Sequence, residues 1–283
     1  MAFETLSETM RQVAQRSLAA CKQKYGGNGV KLEEGIDNKI LWRPTFQLRP
    51  SKTRLLAVEV AENLYPESLR GAAYEVMTFD SPISVYQACT LEAYQSDAKQ
   101  RMIGILRENG IGIMTVDEDG KVAFQHLCIP LAQHISSLLL EKEMAGMSKP
   151  LKVHFRTAHD TYVGNEGQGL QQAGQILEAV VDSIVKQAIK DGTIPAATAA
   201  KALADQIDAL YATGKFTPHR AALGGAREFV KNFRNIASHP APSGKQAAEK
   251  IRKCRSGFLD AIRHTNQLRQ AATSVGYRLA VIL

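Results

Sequence analysis

Arg234, Asn235 and His239 stand together as R-N-x-x-x-H in the run AREFVKNFRNIASHPAP, a helix-forming pattern that Pro240 stops directly behind the histidine. A guanidinium and an imidazole suit metal-free RNA cleavage. The guanidinium donates paired hydrogen bonds to a phosphate and stabilises the charge that builds up at phosphorus. The imidazole, near its unperturbed pKa, removes the ribose 2′-OH proton or protonates the departing 5′-oxygen. The product would be a 2′,3′-cyclic phosphate and a 5′-OH end, and DNA would be spared. Five residues span about one and a half helical turns, so both groups reach one groove only if the chain bends near His239. With 7 histidines in the chain, an Arg-Asn pair at this spacing arises by chance roughly once in a hundred such sequences. The other reading is a helix-capping histidine and an arginine in a surface ion pair.

Charge supports an anionic partner. The chain has 283 residues and a net charge of +7. Residues 1–150 carry 17 Lys and Arg against 18 Asp and Glu, whereas residues 151–283 carry 18 against 10. The excess lies from Lys231 onward, and a cationic face attracts polyphosphate before any specific contact forms. Lys231, Arg252, Lys253, Arg255 and Arg263 are the candidate RNA-backbone residues beside the motif. A solvated helix face is the alternative.

The elements that must position these residues differ between the halves. In the first, TRLLAVEVAE, PISVYQACT, IGIMTV and KVAFQHL read as strands, the last two joined by the turn Asp117–Gly120. Helices are expected over the amino terminus, over LEAYQSDAKQRMIGILREN up to Gly110, and from about Leu131 to Met144. Strands separated by helices imply an α/β domain with a mixed sheet over 1–148. The stretch 149–167, with its glycines and no sustained period, reads as a linker or a packed connection. Helices are expected at Leu170 to Lys190, Ala196 to Tyr211, Arg220 to about Ser238 and Lys245 to about Ala280, which makes 168–283 a helical bundle.

An all-α bundle with R-N-x-x-x-H near the end of its third long helix, then Pro and a basic final helix, resembles the HEPN superfamily. The segment FRNIASHPAPSGKQAAEKIRKCRSGFLDAIRHTNQLRQA is similar to carboxy-terminal domains of abortive-infection and defence-type proteins. The resemblance covers about Gln168 to Leu283. It implies a ribonuclease site at Arg234, Asn235 and His239, RNA as substrate, and a homodimer in which two motifs face one cleft. It also implies a role in anti-phage defence or as a toxin, with a regulatory partner protein possible. A bundle that only dimerises, in a non-catalytic nucleic-acid-binding or scaffolding protein, is the alternative function.

The first half more faintly resembles the restriction-endonuclease-like PD-(D/E)xK fold, through RPTFQLRPSKTRLLAVEVAEN, a crossover helix and RENGIGIMTVDEDGKV. A working Mg²⁺ site there needs an Asp after the Pro and a Lys two past the acid. Here Thr45 follows Pro44 and Ala61 follows Glu59-Val60, with Asp37 a doubtful substitute. This half is expected to bind or regulate rather than cut, and no metal and no cofactor is expected in the chain. His154, His159, Asp160 and Tyr162 lack a third ligand at a convincing spacing, and His126 and His134 read as packing or surface histidines. Cys21, Cys89, Cys128 and Cys254 lie far apart without zinc spacing and read as reduced, buried thiols. No apolar stretch reaches the length of a bilayer crossing, and Glu4 and Glu8 oppose an export signal, so the expected home is the cytoplasm without a membrane partner.

Overall fold

The computed structural model describes residues 3–36, 42–62, 81–96, 100–233 and 241–279. The chain divides into two units, Met1–Ser136 with Pro240–Arg252, and Ser137–His239 with Lys253–Leu283.

The first unit is built on a mixed sheet of six strands in the order β1 (Lys31–Leu32), β2 (Phe46–Ser51), β3 (Arg54–Val60), β4 (Ile83–Thr90), β5 (Gly112–Val116) and β6 (Val122–His126). β3, β4 and β5 run parallel, and the other neighbours are antiparallel. The three parallel strands are almost uninterrupted apolar runs because both of their faces are covered. Helix α1 (Glu8–Tyr25) buries Met10, Val13, Ala14 and Cys21 at helical spacing in the core formed with Leu56, Val58, Tyr86 and Met114. On the opposite face Leu55, Ala57, Ile83, Val85 and Ile113 meet Ile103 and Leu106 of α3 (Gln100–Glu108), with Ala93 and Tyr94 of α2 (Leu91–Gln95) packed against them.

The expected strands are all present, and the Asp117–Gly120 turn joins an antiparallel pair. Two expected helices are shorter. The run from Leu91 is two helices, α2 and α3, because Ser96 takes an extended conformation that closes the first. From Leu131 the backbone first serves the sheet, Leu131 N–H donating to Ile83 O at 2.9 Å, so helix α4 spans only Ser137–Glu143. Strand β2 was not expected: its Gln47, Arg49 and Pro50 obscure the buried Phe46 and Leu48.

The second unit is helical: α4, α5 (Lys149–Gly164), α6 (Glu166–Lys190), α7 (Leu203–Tyr211), α8 (Arg220–Phe233) and α9 (Gly244–Ser274), whose opening residues count with the first unit. The expected linker at 149–167 is therefore wrong. Leu151, Phe155, Ala158 and Tyr162 recur at four, three and four residues, which is one buried helical face. Asn165 ends α5 and caps α6, its Oδ1 accepting from Gln168 N–H at 3.0 Å. Gly169 lets the two helices touch there, since a Cβ on it would stand 2.3 Å from the Tyr162 backbone. The helix expected over Ala196–Tyr211 is a 3₁₀ turn (Ala196–Ala200) followed by α7, the break falling at extended Lys201 and Ala202. Among the described residues no helix is long and apolar enough to cross a membrane.

Candidate nucleic-acid site

Helix α8 buries Leu223, Ala226, Phe229 and Val230 and exposes Arg227 and Lys231. Its last residue is anchored firmly. The Phe233 ring stacks on Phe229 at 5.4 Å and fills the space over Gly257 of α9, where a Cβ would lie 2.6 Å from the ring. Arg234 follows this anchor directly. Arg234, Asn235 and His239 themselves lie outside the described residues, as does the end expected for this helix near Ser238. Ahead of α9, Ser243 Oγ accepts from Gln246 N–H at 3.3 Å and starts that helix. That helix ends at Ser274, short of the expected Ala280.

The five candidate RNA-binding cations have different surroundings. Lys231, in the last turn of α8, and Lys253, one turn before Gly257, are exposed. Arg252 and Arg255 are half-buried, and each is engaged with other groups of the protein. Arg263 donates to Asp260 at 2.8 Å and to Glu143 at 3.2 Å, and these carboxylates hold its pKa above the usual arginine value. An arginine already shared between two carboxylates offers little to a phosphate. Sequence reasoning therefore placed Arg263 among the open cations, whereas local ion pairs occupy it.

In the first unit Glu59 sits half-buried on β3. It accepts from Trp42 Nε1 at 3.1 Å and from the Thr45 backbone, while Thr45 Oγ1 accepts from Val60 N–H at 3.0 Å. Burial raises its pKa despite those donors. The residue opposite it on β4 is Gln87, which carries no charge. A carboxyl held by an indole and an amide, with an amide across the sheet, does not fit Mg²⁺, which requires charged oxygen ligands. Among the described residues no group of three His, Cys, Asp or Glu could hold a metal. Asp37 lies outside the described residues.

The remaining candidates are structural. Tyr162 is buried and tilted against Phe258 at 4.9 Å, and burial raises its pKa. His159 stacks on Tyr162 and meets Phe258 edge-on. His154 and Asp160 lie on the same helix, half-buried and exposed. His134 Nε2 donates to Glu108 O at 2.7 Å, capping α3, and His126 pairs with Tyr94 Oη at 3.0 Å. All four cysteines are free thiols; burial pushes Cys21 up to about 12 and Cys89 and Cys128 up to about 11, which leaves these three unreactive.

Two features escaped sequence reasoning. Asp191, at the end of α6, accepts from Thr193 N–H at 3.1 Å, Thr193 Oγ1 at 2.5 Å, Tyr277 Oη at 2.9 Å and Lys215 Nζ. The second is a group of open cations around the β2–β3 hairpin; the signal was RPSKTR, hidden by the balanced charge of the first half. Compared with known proteins, the chain matches no family model, no curated protein and no solved structure.

Proposed function

We propose that the chain is a metal-independent endoribonuclease: an α/β, restriction-endonuclease-like module that binds or regulates, followed by a HEPN-like helical part that cuts. The reading rests on the R-N-x-x-x-H motif, which begins one residue past the Phe233–Gly257 anchor and precedes a helix rich in cations. In this mechanism Arg234 holds the scissile phosphate and Asn235 adds a polar contact. One His239 takes the 2′-OH proton as the oxygen attacks phosphorus, and the P–O5′ bond breaks. A second His239, from a paired protomer, returns a proton to the 5′-oxygen. The chemistry needs no metal, in keeping with the ill-suited surroundings of Glu59. Anti-phage defence or toxin activity, under control of a partner protein, is the biological setting that goes with this chemistry.

Incubation of the protein with labelled RNA in EDTA is the test. Cleavage to cyclic-phosphate ends, abolished by His239→Ala with RNA binding retained, is the expected result. RNA that is bound but never cut would leave the non-catalytic reading. Cleavage that requires Mg²⁺ and is lost in Glu59→Gln would move the active site to the first unit.

A further inference from the structure

Lys22, Lys24, Arg49, Lys52 and Arg54 are far apart in sequence, but the fold of the first unit gathers them at one end of the sheet. Helix α1 ends with Lys22 and Lys24 in its last turn. The loop that follows is tied to β2: Arg49 N–H donates to Asn28 O at 2.9 Å, and Gly29, at φ +62°, lies against the Arg49 side-chain stem. Gly27 in the same loop lies against the Lys22 side chain. One strand further on, Ser51 pairs with Arg54 across the hairpin tip that carries Lys52. All five side chains are exposed, and none forms an ion pair with a carboxylate among the described residues. Lys24 Nζ lies 3.9 Å over the Phe124 ring, a cation–π contact that holds the ammonium in place without neutralising it.

The other end of the same sheet has the opposite sign. At the carboxyl ends of β4 and β5, a cleft of about 660 Å³ is lined by Glu92, Asp117, Glu118 and Asp119, with Arg16 the one cation among its described lining residues. The near-zero charge of the first half is thus a separation of charge between two ends. An end that is cationic and exposed attracts polyanions, and the opposite end repels them.

We infer that this cationic end is a second nucleic-acid surface, independent of the cleavage motif, that binds the phosphodiester backbone of a single strand. The aromatic rings beside the cations, Tyr25 and Phe124, are half-buried and Lys24 covers the second, so the surface grips phosphates rather than stacking bases. It serves to hold a strand, and it does so equally for RNA and DNA.

Fluorescence anisotropy on the full chain tests this with a 2′-O-methyl RNA and a DNA of one sequence, neither of which the proposed chemistry can cut. Failure of the cleavage reading therefore leaves this measurement intact. For single strands each phosphate contact contributes a salt slope of about 0.7, so Arg49→Glu/Lys52→Glu/Arg54→Glu should lower the slope by about 2 and weaken binding about tenfold or more. The triple Lys142→Glu/Lys149→Glu/Lys186→Glu changes net charge equally at exposed positions of the second unit and should cost much less. Should reversal unfold the hairpin, seen as a lowered melting midpoint, the triple glutamine variant at the same three positions reads the same slope. Equal losses in hairpin and control variants would overturn the inference, as would a tenfold preference for one strand chemistry. Binding of poly-glutamate as tight as that of either strand would also overturn it, by reducing the surface to a general acid trap.

Discussion

Residues 1–150 hold more acids than bases and residues 151–283 far more bases than acids, yet a cluster of open cations is found in the first set. In the second unit Arg156 and Lys152 face Glu141, Arg227 faces Asp208, Lys215 faces Asp191, and Arg263 is shared by Glu143 and Asp260. In the first, the pairs Arg11–Glu8 and Lys31–Glu34 are local, and among the described residues the cations of the β2–β3 hairpin form no ion pair. Charge counted along the chain measures long-range attraction. Which cations can touch a phosphate depends on what the fold places beside each one.

The comparison fails if ion pairs hold the helical unit together, and α9 is the place to look. Phe258 is fully buried there against Tyr162 and His159, whereas Arg263 makes its pairs at the exposed side of the same helix. Phe258→Ala should cost about 3–5 kcal/mol through lost burial and a cavity. Arg263→Ala, whose pairs are screened by solvent, should cost less than about 1 kcal/mol. Urea unfolding of both variants measures the ratio; a larger loss at Arg263 would mean that the pairs carry the fold.

Two carboxylates sharpen the contrast between the units. Asp191 is held well below the usual aspartate range by hydrogen bonds from Lys215, Thr193 and Tyr277, whereas burial holds Glu59 above the usual glutamate range. For Asp191 the unfolded chain binds the proton more readily, so its stabilisation is present above the ordinary aspartate pKa and is lost as pH falls toward the folded value. For Glu59 the folded chain binds the proton more readily, so stability falls as pH rises from the ordinary glutamate pKa through the folded value. At pH 7 Asp191→Asn should therefore melt below the parent chain and Glu59→Gln above it. Both gaps should shrink toward pH 3. Melting curves from pH 3 to 8 read both signs, and a Glu59→Gln variant that melts lower at pH 7 would show that its carboxylate has a partner that favours the charge.

The same physics marks what was legible in the sequence. The central strands were readable because Leu55–Val58 are apolar on both sides of the sheet and Val85–Tyr86 and Ala88–Cys89 nearly so, and the long helices because Ile176, Val180 and Ile184 repeat at four residues. The helix Lys149–Gly164 was missed because the face it buries includes Ala158 and a phenol, Tyr162, among histidines and threonines, a pattern that resembles a polar connection until it is laid on a wheel. Of the candidate site, exposure agreed with the sequence reading at Lys231 and Lys253; of the partners of Arg263, Asp260 stands three residues away on the same helix and was legible, while Glu143 is 120 residues away and no local pattern announces that contact. The hairpin cations required pairing of Ser51 with Arg54 and docking of the α1 loop on Arg49, which are likewise contacts of the folded chain.

The finest discrimination uses single substitutions. Lys52→Ala removes one open cation at a turn that has little to pack, so stability should stay within about 0.5 kcal/mol while strand binding weakens a few-fold and the salt slope drops by about 0.7. Arg263→Ala removes the same charge from the chain but also leaves Glu143 and Asp260 without their partner. If occupancy by carboxylates silences a cation, this variant should bind single strands as the parent does, apart from the small long-range change that loss of one charge brings at low salt. Anisotropy at 50 and 200 mM salt separates the two cases, because long-range attraction fades within a Debye length of about 10 Å at 0.1 M whereas a phosphate contact persists in the slope. Equal slopes for the two variants would mean that Arg263 exchanges its carboxylates for phosphate, and the distinction drawn between paired and open cations would then fail at its strongest example.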